Sequence, residues 1–217
     1  TNKKQMKKLK YAILIPMPEV MIPQVLFAQW LNVQEWISSN NISAKIFSYM
    51  GTYQVESRNN LWTNEYNYND PYKFANEVEW FVNIDADQIF RHDQLTRLLE
   101  YDNPFVSGWY LRTFKGTEVH NTIGMRNKNA PGYDFILPEE MYKKTDPFYA
   151  DWIPGGFFKI HTDIVKQLPY PFWRHNIKYI EELGISTWLG EDLSLCNEVE
   201  KVTNIKPLVL PDLKVGH

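Results

Sequence analysis

Cysteine is almost missing: the 217 residues hold one, Cys196. A lone thiol excludes an internal disulfide and a cysteine zinc cluster, and it points to a reducing, cytoplasmic compartment. Long apolar runs are missing too. None reaches the roughly 18–20 residues that a membrane-crossing helix needs. Neither sign of charge prevails, because 23 basic residues stand against 26 acidic ones, a net charge of −3. Nothing in this balance calls for a nucleic-acid partner. Internal repeats and low-complexity tracts are absent. The first ten residues, TNKKQMKKLK, are basic, but a strand-like run follows them rather than a cleavable apolar segment. The chain starts without Met and stops abruptly at VGH, as expected of a piece processed or excised from something longer.

Aromatic side chains are abundant: 8 Trp, 13 Tyr and 12 Phe. Some of these rings must be core, and an excess also suits the flat apolar faces of sugar rings or bases. The length is enough for one domain with a real core, taken here as residues 1–217.

Apolar patterning predicts a strand over Tyr11–Pro16 and a helix from Pro23 to about Asn40, with Leu26, Trp30, Val33 and Ile37 at helical spacing. A strand over Ile42–Met50, a polar helix over Glu56–Tyr66, a strand over Glu79–Asp85, a short helix over Asp93–Tyr101 and a strand over Phe105–Leu111 follow. This alternation argues an α/β architecture with a mixed, mostly parallel central sheet flanked by helices. From Arg112 to Asp151 periodicity fades, and a long loop or hairpin region is expected. WIPGGFFKI reads as a strand containing a double glycine, and HTDIVKQL as a short helix. The stretch from Tyr170 to Gly184 is aromatic and irregular, Gly190–Val202 reads as a helix, and PLVLP as a last strand.

The third strand ends in WFVNIDADQIF, which puts Asp85 and Asp87 one residue apart. D-x-D by itself says little, since a random chain of this composition holds about half of one. Asp at a strand end often just bonds its own turn. Its position speaks for chemistry, because ligands of α/β sheets sit beyond the carboxyl ends of the strands. Two carboxylates there can seat a hard divalent cation, which can bind a diphosphate and neutralise it as it leaves. Arg58 reads either as a solvated helix charge or as a fork-shaped anion partner. Glu191 and Asp192 read either as helix-start capping groups or as site carboxylates. Gly155 and Gly156 signal a bulge or a close backbone approach, for instance of a sugar. Trp109, Phe172, Trp173 and Trp188 are candidate sugar-stacking rings, of which one or two are expected to serve.

Taken in order, VESRNNLW, FVNIDADQIF with HDQLTRLLEYDNPFVSGWY, IPGGFFKIHTDIV, WLGEDLSLCNEV and the closing LKVGH resemble the DXD-type, nucleotide-sugar-dependent glycosyltransferases of the GT-A fold. The wording is nearest to small virus- and phage-type members, such as those that decorate a chlorella-virus capsid. The resemblance implies a nucleotide-binding half over 1–111 and an acceptor-side half over 112–217. It implies Mn2+ or Mg2+ held by Asp85, Asp87 and His217, although on sequence alone a terminal histidine reads as a disordered chain end. An imidazole beside carboxylates tilts the preference toward manganese. The implied donor is a nucleotide-diphosphate sugar, with UDP preferred by the family, and the acceptor a glycan or glycoprotein. Pro16, with the loop to Glu19, and Tyr53 would border the base. Arg58 would pair with the diphosphate or Asp85, and Asp85 would reach sugar or ribose hydroxyls or the metal through water. Gly155, Gly156 and Trp109 would face the sugar, and Asp192 or Glu191 would act at the acceptor hydroxyl. Two rivals remain open. One is a phosphotransferase or phosphatase with Asp85 as nucleophile, although Ile89 and DLSLC fit such enzymes poorly. The other is a non-catalytic carbohydrate-binding module.

Overall fold

The computed structural model describes residues 8–17, 24–64, 69–114, 118–130, 132–180 and 184–217. Strand β1 (Leu9–Met17) leads through helix α1 (Gln24–Ser39) to β2 (Ala44–Met50). Helices α2 (Gln54–Thr63) and α3 (Lys73–Glu77) precede β3 (Val78–Ile84), and α4 (His92–Glu100) precedes β4 (Phe105–Trp109). Short pieces follow: β5 (Leu111–Phe114), β6 (Glu118–Asn121), β7 (Gly124–Arg126), β8 (Tyr133–Phe135), α5 (Pro138–Lys143) and β9 (Phe148–Tyr149). The chain then makes β10 (Phe157–His161), α6 (Thr162–Val165), β11 (Asn176–Ile180), β12 (Ile185–Leu189), α7 (Glu191–Thr203) and β13 (Leu208–Lys214).

Seven strands form the central sheet in the order β2-β1-β3-β10-β4-β13-β9. β1 pairs parallel with β2 and β3, and β13 parallel with β4. β10 runs antiparallel between β3 and β4, and β9 antiparallel beside β13. The architecture is therefore α/β, a large mixed sheet flanked by helices, with β2, β1, β3, β4 and β13 sharing one direction. Central strands are buried on both faces, as apolar runs such as AILI require. Ala12 and Leu14 join one core with Trp62, Phe74, Val165 and Val199. Ile13 and Ile15 join the other with Trp30, Val33, Leu95 and Leu98.

The region from 112 to 151 takes the hairpin alternative: it forms β5–β6 and β7–β8, with helix α5 and edge strand β9. Strands of two to four residues are too short to display a two-residue period. Two expectations need correction. Gly155 and Gly156 lie in the turn before β10, not inside the strand. The aromatic stretch after Tyr170 runs into the two-stranded ribbon β11–β12, separate from the main sheet. Of the expected second helix, residues 65 and 66 lie outside the described residues, and α2 ends with Asn64 in a left-handed cap.

Polar α2 is explained by its partners. Asn59 donates to the Trp173 carbonyl at 2.7 Å and accepts from the Trp173 N–H at 3.0 Å. Trp62 Nε1 donates to Asn83 Oδ1 at 2.8 Å. These bonds offset the burial of polar side chains, while Asn60 Nδ2 and Arg58 Nε have no partner among the described residues.

Candidate functional site

Strand direction gathers the site. The carboxyl ends of β3, β4 and β13 lie on one edge of the sheet, and antiparallel β10 brings its amino end to that edge, with Phe157 opposite Ile84. Asp85 follows β3, Tyr110 follows β4, Gly216 and His217 follow β13, and Gly155 and Gly156 precede β10. Asp85 N–H donates to the Gly156 carbonyl at 2.9 Å, which joins the two strand ends.

At the centre lies Arg58, from α2, whose side chain is 2% exposed. Its Nη2 donates to both Asp85 oxygens at 3.0 and 3.1 Å. Its Nη1 donates to Asp192 Oδ1 at 2.8 Å and Glu191 Oε1 at 3.2 Å. The guanidinium carbon stands 4.6 Å from the centre of the Trp173 ring, a cation–π contact. Burial alone would lower the Arg58 pKa, but Asp85, Asp192 and Glu191 outweigh it and raise it. Arg58 is thus a fixed cation and not a solvated helix charge.

Three carboxylates share this one guanidinium. Burial pushes the Asp192 carboxyl up to about 6, Glu191 and Asp85 push the same way, and Arg58 opposes them. Glu191 and Asp192 do begin α7, where the helix dipole favours anions, and their side chains turn to Arg58. On the outer side, His175 Nδ1 lies 3.8 Å from Glu191 Oε2.

Asp87 is placed differently. Its side chain is 60% exposed, and its ion-pair neighbour is His217, with Nε2 at 3.5 Å from Oδ2. His217 is no frayed end. Gly216 N–H donates to the Ile89 carbonyl at 2.7 Å and Ile89 N–H to the Gly216 carbonyl at 2.9 Å. The imidazole stacks on Tyr110, centroids 5.0 Å apart and planes 4° from parallel.

The fit of these residues to a divalent cation is partial. Neighbouring ligands of an octahedral ion with bonds of 2.0–2.1 Å lie about 3 Å apart. The Asp87–His217 separation is near that, and Asp87 has solvent around it for water or phosphate ligands. Both Asp85 oxygens accept from Arg58, which ties this carboxylate to the guanidinium and leaves each oxygen one further lone pair for a metal, a water or a sugar hydroxyl. Among the described residues no group of three or more His, Cys, Asp and Glu is arranged to hold a metal.

The double glycine has a local cause. A Cβ on Gly155 would stand 2.3 Å from Asp192 Oδ1 and 2.7 Å from both Arg58 amino nitrogens. A Cβ on Gly156 would stand 2.8 Å from Asp85 Oδ2 and from Tyr110 Oη. The backbone is bare to admit the protein's own charged groups, which replaces the expectation that it is bare for a sugar.

Trp109 is also corrected: it is buried, its indole N–H donates to the Pro211 carbonyl at 2.8 Å, and it cannot present a ring to a ligand. Trp173 and Phe172 are buried as well, whereas Trp188 is 72% exposed on the ribbon. Pro16 is buried at the end of β1, and Tyr53 is exposed at the start of α2. Residues 18 and 19 of the expected base-bordering loop lie outside the described residues.

Sequence reasoning missed Tyr110, Gln88 and His175. Tyr110 lay inside the strand expected over Phe105–Leu111, and β4 instead ends at Trp109, which puts Tyr110 at the sheet edge. No signal marked the other two.

No protein-family model matches the chain, and no curated protein matches it. Among solved structures it is similar to A197 from STIV, at 14% identity over 95% of this chain and 92% of that one, with a TM-score of 0.50. At that identity the likeness concerns the fold alone. Among the described residues no helix is long and apolar enough to cross a membrane.

Proposed function

We propose that the protein is a metal-dependent glycosyltransferase of the GT-A type, moving a sugar from a nucleotide-diphosphate donor, UDP by family preference, to a glycan or glycoprotein acceptor. One observation carries the reading. At a single sheet edge, Asp87 stands exposed beside His217 while the buried Arg58 ties Asp85 to the two carboxylates of α7. Sequence-distant motifs of the resemblance thus share one constellation, and the sheet that gathers them is mixed as the GT-A resemblance implies.

Asp87 and His217 would hold the cation, which when bound would take charge from the departing diphosphate. Arg58 would act through Asp85, because its amino groups are already committed to carboxylates. Asp192, with a carboxyl near the operating pH, suits a general base for the acceptor hydroxyl in an inverting reaction. The phosphatase alternative is disfavoured, since the ion pair with Arg58 makes Asp85 a weaker nucleophile.

The test is a thermal-shift panel of nucleoside diphosphates with and without manganese, followed by turnover of UDP-sugars. Manganese-dependent stabilisation by one diphosphate, with hydrolysis or transfer of its sugar, supports the reading. Cleavage of simple phosphoesters, or sugar binding without turnover, points to the two alternatives respectively.

A further inference from the structure

The turn that carries Asp87 is held from two sides. On one side Ile89 forms an antiparallel bridge with Gly216: its N–H donates to the Gly216 carbonyl at 2.9 Å, and its carbonyl accepts from the Gly216 N–H at 2.7 Å. In an extended stretch the carbonyl before such a residue and the N–H after it point the other way. Here those groups belong to Gln88 and Phe90, both buried. Gln29 of α1 takes the place that a neighbouring strand would fill. Its Nε2 donates to the Gln88 carbonyl at 2.8 Å, and its Oε1 accepts from the Phe90 N–H at 3.3 Å. A side-chain amide carries the same donor and acceptor as a peptide group, so one glutamine reproduces a strand bridge.

Packing alone does not call for a glutamine there. Trp30, Val33 and Ile37 supply the core face of α1, and Gln29 is half-buried at its border. An apolar side chain would pack at that border as well and would leave the two backbone groups without their partners.

The bridge lies close to the carboxylate it serves. His217 is fixed on its own side, through the backbone bonds of Gly216 and the stack on Tyr110. The Asp87 side chain is exposed, and its distance from His217 depends on the turn beneath it. We propose that Gln29 is a positioning residue for the cation pair: by standing in for a strand at Gln88 and Phe90, its amide holds Asp87 at ligand distance from His217. The inference rests on the metal reading above, and Gln29 acts only through the turn.

Titration calorimetry with manganese alone compares the full native chain with Gln29→Met and with Asn32→Ala, which changes the same groove between α1 and residues 89–92. Gln29→Met should bind manganese about tenfold or more weakly, the usual effect of loosening a group that orients a metal ligand. Asn32→Ala should bind it as the native chain does. A residue that only supports the fold would lower the melting temperature and leave the manganese affinity of the folded chain unchanged.

A second readout needs no substitution. By linkage, a contact that raises manganese affinity is itself strengthened by manganese, which should slow hydrogen exchange of the Phe90 amide about tenfold in the native chain, read by mass spectrometry. Unchanged manganese affinity in Gln29→Met, equal losses in both variants, or exchange at Phe90 that manganese does not slow overturns the assignment. If the native chain binds no manganese, or if Asp87→Ala binds it equally well, the metal reading falls and takes this one with it.

Discussion

Arg58 Nη1 and Asp192 Oδ1 are 134 residues apart along the chain and 2.8 Å apart in space. The same guanidinium reaches Asp85 with its other amino group, so one side chain joins α2, the end of β3 and the start of α7. Arg58→Met should strand three carboxylates around an apolar group and cost about 3–5 kcal/mol, the usual penalty for removing one partner of a buried ionic cluster. Arg58→Lys should not restore it, since a single ammonium lacks the planar fork that faces carboxylates on two sides. Urea denaturation measures both. The Met variant should recover part of its loss as pH falls and the stranded carboxylates protonate.

The glycines next to this cluster predict a position-dependent cost. Gly155→Ala must displace either the Asp192 carboxylate or the Arg58 guanidinium, which meet the new methyl at 2.3 and 2.7 Å. A loss of about 1–3 kcal/mol or more is expected, as for other overpacked sites. At Gly190, which starts α7, an added Cβ meets nothing within 4 Å. Gly190→Ala should cost less than about 1 kcal/mol, the scale of a weakened N-cap. Equal effects at the two positions would mean that the turn before β10 does not press on the cluster.

Asp192 should leave a signature in the pH dependence of stability. Its carboxyl is raised to about 6 in the folded chain, mainly by burial, against an ordinary value of about 3.9. Between those values the folded state binds the extra proton, so this group's contribution is greatest below about pH 4 and is lost as pH rises through about 6. The upper bound is about 3 kcal/mol, less the share screened by solvent that reaches the side chain. Urea midpoints of the native chain should fall from pH 4.5 to 6.5 relative to Asp192→Asn, whose side chain cannot titrate. Parallel profiles would remove Asp192 from the group of strained carboxylates.

Much of this arrangement was legible beforehand, and the limits were physical. Long strands such as β1 and β3 show their burial as apolar runs, and α4 shows its apolar stripe through Leu95, Leu98 and Leu99. The reversal of β10 carries no local signal, because an antiparallel strand buried on both faces has the same composition as a parallel one. Asp85 and Asp87 were legible from the residues as a strand-end pair, and only the family resemblance told them apart. The pattern D-x-D is symmetric, and it is Arg58, 27 residues upstream of Asp85, that separates the two in the structure, through the Asp85 pairing that the resemblance implied. Trp109 and Trp188 look alike in sequence, and the sheet buries the first while the ribbon exposes the second.

The exposed aspartate and the histidine make the metal proposal testable one atom group at a time. Asp87→Ala removes a solvated carboxylate that supports no packing, so stability should stay within about 0.5 kcal/mol, while manganese-dependent turnover should be lost. His217→Ala is a cleaner test than truncation, because deleting Gly216 also removes its two backbone bonds to Ile89. Titration calorimetry should show weaker manganese affinity for both variants. Unchanged affinity in either one takes that residue out of the site.

The two tryptophans offer a contrast between packing and recognition. Trp109 fills the core and bonds the Pro211 carbonyl, so Trp109→Ala should cost about 3–5 kcal/mol. Trp188 lies opposite Ile177 on the β11–β12 ribbon, three residues before Glu191, with its ring 6.4 Å from His175. Ile177 and Tyr179 are exposed on the same face of the ribbon, since side chains two apart on a strand share a side. An acceptor sugar stacked on that indole would lie beside the α7 carboxylates. Trp188→Ala should therefore leave the melting temperature and UDP affinity as they are and raise the KM for a glycan acceptor by about tenfold, the upper range of one stacking contact. A drop in melting temperature without a change in KM would instead assign Trp188 to the packing of the ribbon.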